Sequence, residues 1–364
     1  MLPSLIGLQP FLPGFLQTLV LYSRLIIGPA IIFYFLKEQF NFYIIGLFLF
    51  YCIILSVFNP PIDKNDFILI FLSLLSAIPF FKLGAYLKES KDGNNFFKFL
   101  IYGINIFNVI TIIVYLLLEN GSIEITSFFE IAGKQIVELF RFSIGNPIEL
   151  PFVITLLLYS SIILVNEKSS FLFSTTLNLG VTIISQSRIV VLIAFLIFLA
   201  EFSKSKKKEK LITFVGILIF IPFLYNQFGD IVLSYFERIS GNDFGSADDR
   251  KYLIEVVANK IDIKTFIFGN GLTSSSIFLK HTISEYRTVE SIAVQFIFEF
   301  GIMGIFLFCF SLFSLQKGIK LPNKVNIILI LTYFQLLVFL PIFTLFPFVF
   351  LAIGIISFRK TVLI

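Results

Sequence analysis

Arginines beside helix starts are the first candidates for chemistry in this chain. Arg188 opens the apolar run Ile189–Phe202 and follows Ser185 and Ser187. A cation at a helix N-terminus opposes the positive end of the helix dipole, at a cost of about a few tenths of a kcal/mol. The arrangement turns favourable when an anion sits between the guanidinium and the free N–H groups of the first turn, with serine hydroxyls as added donors. A snorkelling arginine at a membrane interface accounts for the same residue. Arg250 and Lys251 are expected to begin a loop helix, where an anion or the neighbouring Asp248 and Asp249 would neutralise them. The surface ion pair is the ordinary arrangement there. Arg287 and Glu290 stand at the return to the apolar run Ser291–Leu315. Glu290 is favoured by the dipole of the following helix whatever its role. Its functional alternative is a general base held at the membrane surface.

Other polar residues offer less. His281 is the only histidine and has no partner at metal or triad spacing, so a solvated loop side chain is expected. Gly269-Asn270-Gly271 could present backbone N–H groups to a phosphate, but a lone Gly-x-Gly is more often a turn. Gly301 and Gly304, three apart in the next helix, point to close helix packing. Cys52 and Cys309 both lie inside apolar runs, which argues against a disulfide framework or a cysteine metal site. No metal or cofactor is expected.

The elements that must position these residues are membrane helices. Of 364 residues, 57% are hydrophobic and 14% charged, where soluble domains carry about a quarter charged. Mean hydropathy is +0.95. Apolar runs recur that are long enough, at about 17–25 residues, to cross a bilayer core. The expected fold is therefore all-α, a polytopic transmembrane helical bundle of about 11–12 spans with a large, partly helical outer loop. A β-barrel would show alternating segments of about ten residues instead. Spans are expected at Leu16–Leu36, Phe40–Phe58, Phe67–Leu87, Phe96–Leu118, Pro151–Val165, Phe171–Ile184, Ile189–Phe202, Leu211–Tyr225, Ser291–Leu315, Val325–Leu340 and Ile342–Phe358. The whole chain reads as a single integral membrane domain, with residues 227–290 as an external loop. The first charged side chain is Arg24, so no basic n-region of a cleavable signal peptide is expected.

The net charge of +5 comes from lysines and arginines in short loops, the pattern of topology determinants, so nucleic acid is not an expected partner. Lys204–Lys210 holds five lysines in seven residues and marks a cytoplasmic loop. Lys317, Lys320, Lys324 and the C-terminal Arg359 and Lys360 mark the same side. The 227–290 loop then falls outside. Within it, Leu253, Ile254, Val257, Ala258 and Ile261 follow helical spacing, and Ser246 with Asp249 resembles a weak capping box. Phe266–Gly271 ends that element in a turn.

Taken in order, the motifs resemble a known family. Ser-x-Ser-Arg opens a span, a basic loop follows, then a large outer loop with Arg250 at a helix start and the turn Phe268–Leu272 (Phe-Gly-x-Gly-Leu). Glu290-Ser291 comes next, with Gly301 and Gly304 beginning ten residues after the serine. This resembles the O-antigen polymerase and O-antigen ligase superfamily of bacterial surface-polysaccharide assembly, over roughly residues 180–310. Ligases of that superfamily carry His-Asn, or a close relative, where this chain has Glu290-Ser291, which favours the polymerase side.

The resemblance implies a metal-independent, membrane-embedded glycosyltransferase that needs no cofactor. It would move a growing glycan from undecaprenyl diphosphate to the non-reducing end of a lipid-linked repeat unit. Arg188 and Arg250 would then bind diphosphate, with Arg287 as a third candidate and Ser187 as a donor, and Glu290 would be the base. Partners would be the lipid-linked glycan donor and acceptor, the bilayer and a chain-length regulator protein. The expected location is the bacterial inner membrane, with the large loop periplasmic and the C-terminus cytoplasmic. The rival readings are an O-antigen ligase acting on lipid A core and a flippase or transporter. A transporter should hold ionisable residues near mid-span. Arg24, Lys82 and Lys98 could reach an interface, but Glu299 sits well inside its span and keeps transport open.

Overall fold

The computed structural model describes residues 23–59, 64–90, 93–119, 149–165, 171–184, 188–216, 218, 245–283, 291–314 and 346–357. Among them the regular elements are helical and there is no strand, as the apolar run lengths require. A π-turn over Ser23–Ile27 leads into α1 (Gly28–Phe35). There follow α2 (Phe42–Phe58), α3 (Lys64–Glu89), α4 (Gly93–Glu119), α5 (Glu149–Leu164), α6 (Leu172–Ile184) and α7 (Arg188–Lys204). After these come α8 (Gly245–Ala258), α9 (Ile263–Phe268), α10 (Ser274–Ile283), α11 (Ile292–Phe313) and α12 (Phe346–Ser357).

Helices long and apolar enough to cross a bilayer occur at Ile70–Leu87, Gly93–Ile113 and Ala293–Phe313, with shorter apolar helices at Leu25–Phe35, Phe42–Phe58, Val153–Ile162 and Leu172–Ile183. The expected spans coincide with α2 to α7 and α11 to within a few residues. Of the run expected at 211–225, residues 211–216 are helical. Val325–Leu340 lies outside the described residues.

The chain divides into two compact units, residues 1–21 with 91–243 and residues 22–90 with 244–364. In the first, α4 to α7 pack through Ile101, Ile104, Ile154, Leu157, Val181 and Val190, all buried. Apolar burial alone does not hold helices together in lipid, so side-chain hydrogen bonds between them contribute, about 0.6–2 kcal/mol each. Asn105 Nδ2 donates to Ser174 Oγ at 2.9 Å and Asn178 Nδ2 to Thr155 Oγ1 at 2.9 Å. Glu201, near the end of α7, accepts from the Phe171 N–H at 3.3 Å and from Lys204 at 3.0 Å. Its carboxylate thus sits at the start of α6, where the dipole favours it.

In the second unit α3 crosses α12 at two glycines. A Cβ on Gly84 would strike the Leu351 carbonyl, and one on Gly354 the Phe81 carbonyl, so only hydrogen at both positions permits this approach. Lys82 in α3 is fully buried and donates to the carbonyl of Ser314, the cap residue that closes α11. Ser314 directly follows the end of the apolar stretch Ala293–Phe313, so this contact is compatible with the expectation that Lys82 reaches an interface. Its ammonium satisfies a helix C-terminus, whose partial negative charge stabilises it.

Candidate functional site

The polar loop of the second unit folds as three helices against α11. The hydrophobic spacing read from the sequence places Leu253 and Val257 of α8 inward, where they pack with Leu279 of α10 and Phe298 of α11; Ile254 and Ile261 join the edge of that cluster. Lys251, Glu255, Asn259 and Lys260 are exposed, and so is Ala258, which the same spacing had put on the buried side. Lys251 faces Glu255 at 3.9 Å, an exposed pair worth about 0–1 kcal/mol.

α9 begins at Asp262, whose carboxylate accepts from the Thr265 N–H at 2.7 Å. That hydrogen bond is the chief reason its carboxyl is held below the usual aspartate range. α9 ends at Gly269, whose φ of 71° lies in the left-handed region that favours glycine. The chain then turns through Asn270 and Gly271 (φ 95°) onto the backbone of α11. Asn270 N–H donates to the Phe298 carbonyl and Gly271 N–H to the Glu299 carbonyl, each at 2.8 Å.

This docking explains why α11 is broken. Gly301 has φ 61° and ψ 179° inside the helix, which removes the ordinary i+4 geometry around it. Carbonyls in the turn before such a break need other donors, and Phe298 and Glu299 find them in the Gly269–Gly271 turn. A Cβ on Gly301 would strike the Ile267 carbonyl, and one on Gly269 the Glu299 carbonyl. Tyr51 of α2 seals the joint: its hydroxyl lies 2.6 Å from the Phe268 carbonyl and 2.9 Å from the Phe300 carbonyl. Gly304 packs under the Tyr51 ring, where a Cβ would come within 2.7 Å of Cε1. The close-packing reading of Gly304 is right, whereas Gly301 is a glycine for its dihedral angles and for the turn that lies on it. The N–H groups of Asn270 and Gly271 are used within the protein, so the turn reading of Gly-Asn-Gly is the one the structure supports.

Glu299 carries the same joint on its side chain. Its Oε1 accepts from Ser275 Oγ at 2.6 Å and from Gln295 Nε2 at 3.1 Å. The carboxylate also faces the backbone N–H groups of Thr273 and Ser275 at the start of α10, where the helix dipole favours negative charge. Ser275 and Glu299 are fully buried and Gln295 nearly so. Glu299, the residue that kept a transport reading open, is thus a buried anchor for α10.

The expected chemical residues fall as follows. Arg188 is the first residue of α7, as the sequence placed it. Arg250 does not begin its helix: α8 starts at Gly245, so Arg250 is one and a half turns in and the first-turn N–H groups belong to residues 245–248. Ser246 is likewise inside α8, not its cap. Helix propensity alone does not fix a start, and here the helix extends back through the Asp248–Asp249 pair, whose charges suit its first turns. Arg188 belongs to the first unit and Arg250 to the second. Arg287, Glu290, Ser185 and Ser187 lie outside the described residues. Ser291 caps α11, its side chain accepting from the Val294 N–H at 3.4 Å. His281 is exposed in the last turn of α10. Among the described residues no cluster of three metal-ligating side chains occurs. Tyr51, Ser275 and Gln295 were not visible from sequence, because their partners come from distant segments and carry no local spacing signal.

Comparison with known families agrees with this region. Residues 173–309 match the family model described as O-antigen ligase. No curated protein and no solved structure matches the chain. The matched stretch begins in α6 and ends in α11, and takes in Arg188, Arg250, the Phe268–Leu272 turn and both Gly301 and Gly304. The resemblance to the O-antigen ligase and polymerase superfamily, drawn over roughly residues 180–310, is supported by this match.

Proposed function

We propose that this chain is a membrane-embedded glycosyltransferase that polymerises undecaprenyl-diphosphate-linked repeat units into O-antigen or a related surface polysaccharide. The observation that carries the reading is the family match over 173–309, which spans both arginines singled out on physical grounds. The polymerase side is favoured because Glu290-Ser291 stands where ligases carry His-Asn. The description of the matched family as a ligase makes transfer to lipid A core the second reading.

The chemistry is a displacement at the anomeric carbon of the donor. The acceptor hydroxyl forms the new C–O bond while the bond to the diphosphate oxygen breaks, and the electron pair leaves with the diphosphate. Arg188, Arg250 and Arg287 stabilise that departing charge, since guanidinium forks match phosphate oxygens. Arg188 at the start of α7 does so beside free backbone N–H groups, with Ser187 as a further donor. Glu290 takes the acceptor proton. The chain sits in the bacterial inner membrane with the 227–290 loop on the periplasmic side, and a chain-length regulator is a candidate partner.

The test is a gel of surface polysaccharide from the native host lacking this gene. Loss of the ladder with a single-repeat band left on lipid A core supports the polymerase. Loss of every glycan band from lipid A core, with long polymer still on the carrier, means ligase. An unchanged ladder overturns both.

A further inference from the structure

We infer that residues 263–283 form a re-entrant helical hairpin that dips into the bilayer from the surface where α11 begins, with the apolar face of α9 against lipid hydrocarbon. Composition places this segment in an extramembrane loop, but its contacts place it deeper. Gly301, on which the turn rests, lies eight residues into the apolar stretch Ala293–Phe313, about 12 Å along the axis at 1.5 Å per residue. Tyr51, which holds the Phe268 carbonyl, lies seven residues from the Phe58 end of α2, about 10 Å by the same rise. α2 and α11 run side by side through Phe48–Phe308 and Phe48–Phe300 ring contacts at 5.3 and 6.4 Å. Two independent helices therefore put the turn at nearly one depth, close to the half-thickness of a hydrocarbon core of about 30 Å. α10 then runs ten residues back, about 15 Å, the length needed to return to the surface.

The backbone bears the mark of that environment. Non-helical backbone at membrane depth must find its hydrogen bonds within the protein. Here the N–H groups of Gly269, Asn270 and Gly271 donate to Thr265, Phe298 and Glu299 carbonyls, and the Gly271 carbonyl accepts from Ser274 Oγ at 2.7 Å. Polar side chains at the tip are buried instead of facing outward: Thr273, Ser275 and Ser276 are each under 5% exposed, and Ser275 donates to Glu299. What faces out near the tip is apolar, with Phe266, Ile267 and Phe268 at 43%, 38% and 47% exposure. The exposed cations, Lys260 and Lys264 before and within α9 and Lys280 and His281 at the far end of α10, flank the tip at headgroup level, where lysines extend to water. The occupant of this face is bilayer lipid, and the inference stands whether or not the chain polymerises glycan.

The test uses the full chain reconstituted in phosphatidylcholine–phosphatidylglycerol vesicles. Spin labels are placed singly at Ile267→Cys, Glu255→Cys and Phe306→Cys in a Cys52→Ala, Cys309→Ala background. Phe306 of α11 is exposed on a span and Glu255 of α8 is exposed and polar. Ile267→Cys should collide with oxygen far more often than with a water-soluble nickel chelate, as Phe306→Cys does. Collision behaviour matching Glu255→Cys overturns the hairpin. Photolabelling of the unaltered protein by a lipid with a diazirine in its acyl chain needs no substitution. Adducts within 263–268 are expected, and their absence while α11 is labelled refutes the placement.

Discussion

Replacing Gly301 by alanine perturbs the joint between α9, α11 and α2 at a single atom. The backbone at φ 61° and ψ 179° lies in a region that is essentially glycine-only, and holding another residue there costs about 1–3 kcal/mol. The added Cβ also meets the Ile267 carbonyl and Gly269 nitrogen, so the Gly269–Gly271 turn has to lift. That releases the two hydrogen bonds from Asn270 and Gly271, each worth about 0.5–1.5 kcal/mol net. The sum is a destabilisation of about 2–6 kcal/mol, large against a total stability of about 5–15 kcal/mol. The control is Gly103→Ala in the middle of α4, where a Cβ would meet nothing within 4 Å. There alanine should stabilise by about 0.5–1 kcal/mol through helix propensity. Unfolding midpoints of the purified protein in detergent read both. Opposite signs are expected. If Gly301→Ala is as stable as the unaltered protein, the kink is not held by glycine and the docking argument fails.

Other substitutions test the same joint and the machinery proposed above. Tyr51→Phe should lose about 1–2 kcal/mol in the same melts, whereas Tyr43→Phe, 88% exposed, should change nothing. Glu299→Leu orphans the Ser275 hydroxyl and the Gln295 amide, at about 1–3 kcal/mol for each group. Glu299→Gln keeps an acceptor for both and should preserve proteolytic resistance of 274–283. Asp262 has its folded-state pKa lowered, chiefly by its cap hydrogen bond, so its stabilisation is present above the unfolded-state titration and is lost as pH falls through the folded one. Amide protection at Thr265, corrected for intrinsic rate, should fall on acidification in the native chain and stay flat in Asp262→Asn. Arg188→Ala and Arg250→Ala should shorten or abolish surface polymer at unchanged protein level, and Glu290→Gln should do the same if it is the base.

Periodicity made the helices legible, and depth was what it hid. Runs such as Phe42–Phe58 and Ile292–Phe313 announce themselves because lipid demands about 20 apolar residues in sequence. The α8 face was readable from Leu253 and Val257 because burial on one helix side leaves a local pattern. The placement of the Phe268–Leu272 turn was not readable, because the groups it satisfies are the carbonyls of Phe298 and Glu299, which look alike in every residue. Glu299 was conspicuous as a charge in a span, yet its meaning depended on Ser275, a serine without a signature of its own. Arg188 was located correctly because serines and an apolar run bracket it. Arg250 was misplaced within α8 because acidic residues suit either a first helical turn or the loop before it.

The central claim is most directly tested with the purified protein in vesicles, supplied with a single undecaprenyl-diphosphate-linked repeat unit from its own host. A ladder of lengthened lipid-linked glycan is expected, undiminished by a chelator and lost with Arg188→Ala. A well-folded preparation that leaves the single repeat unextended, or one that extends it equally well with Arg188→Ala, would contradict that claim.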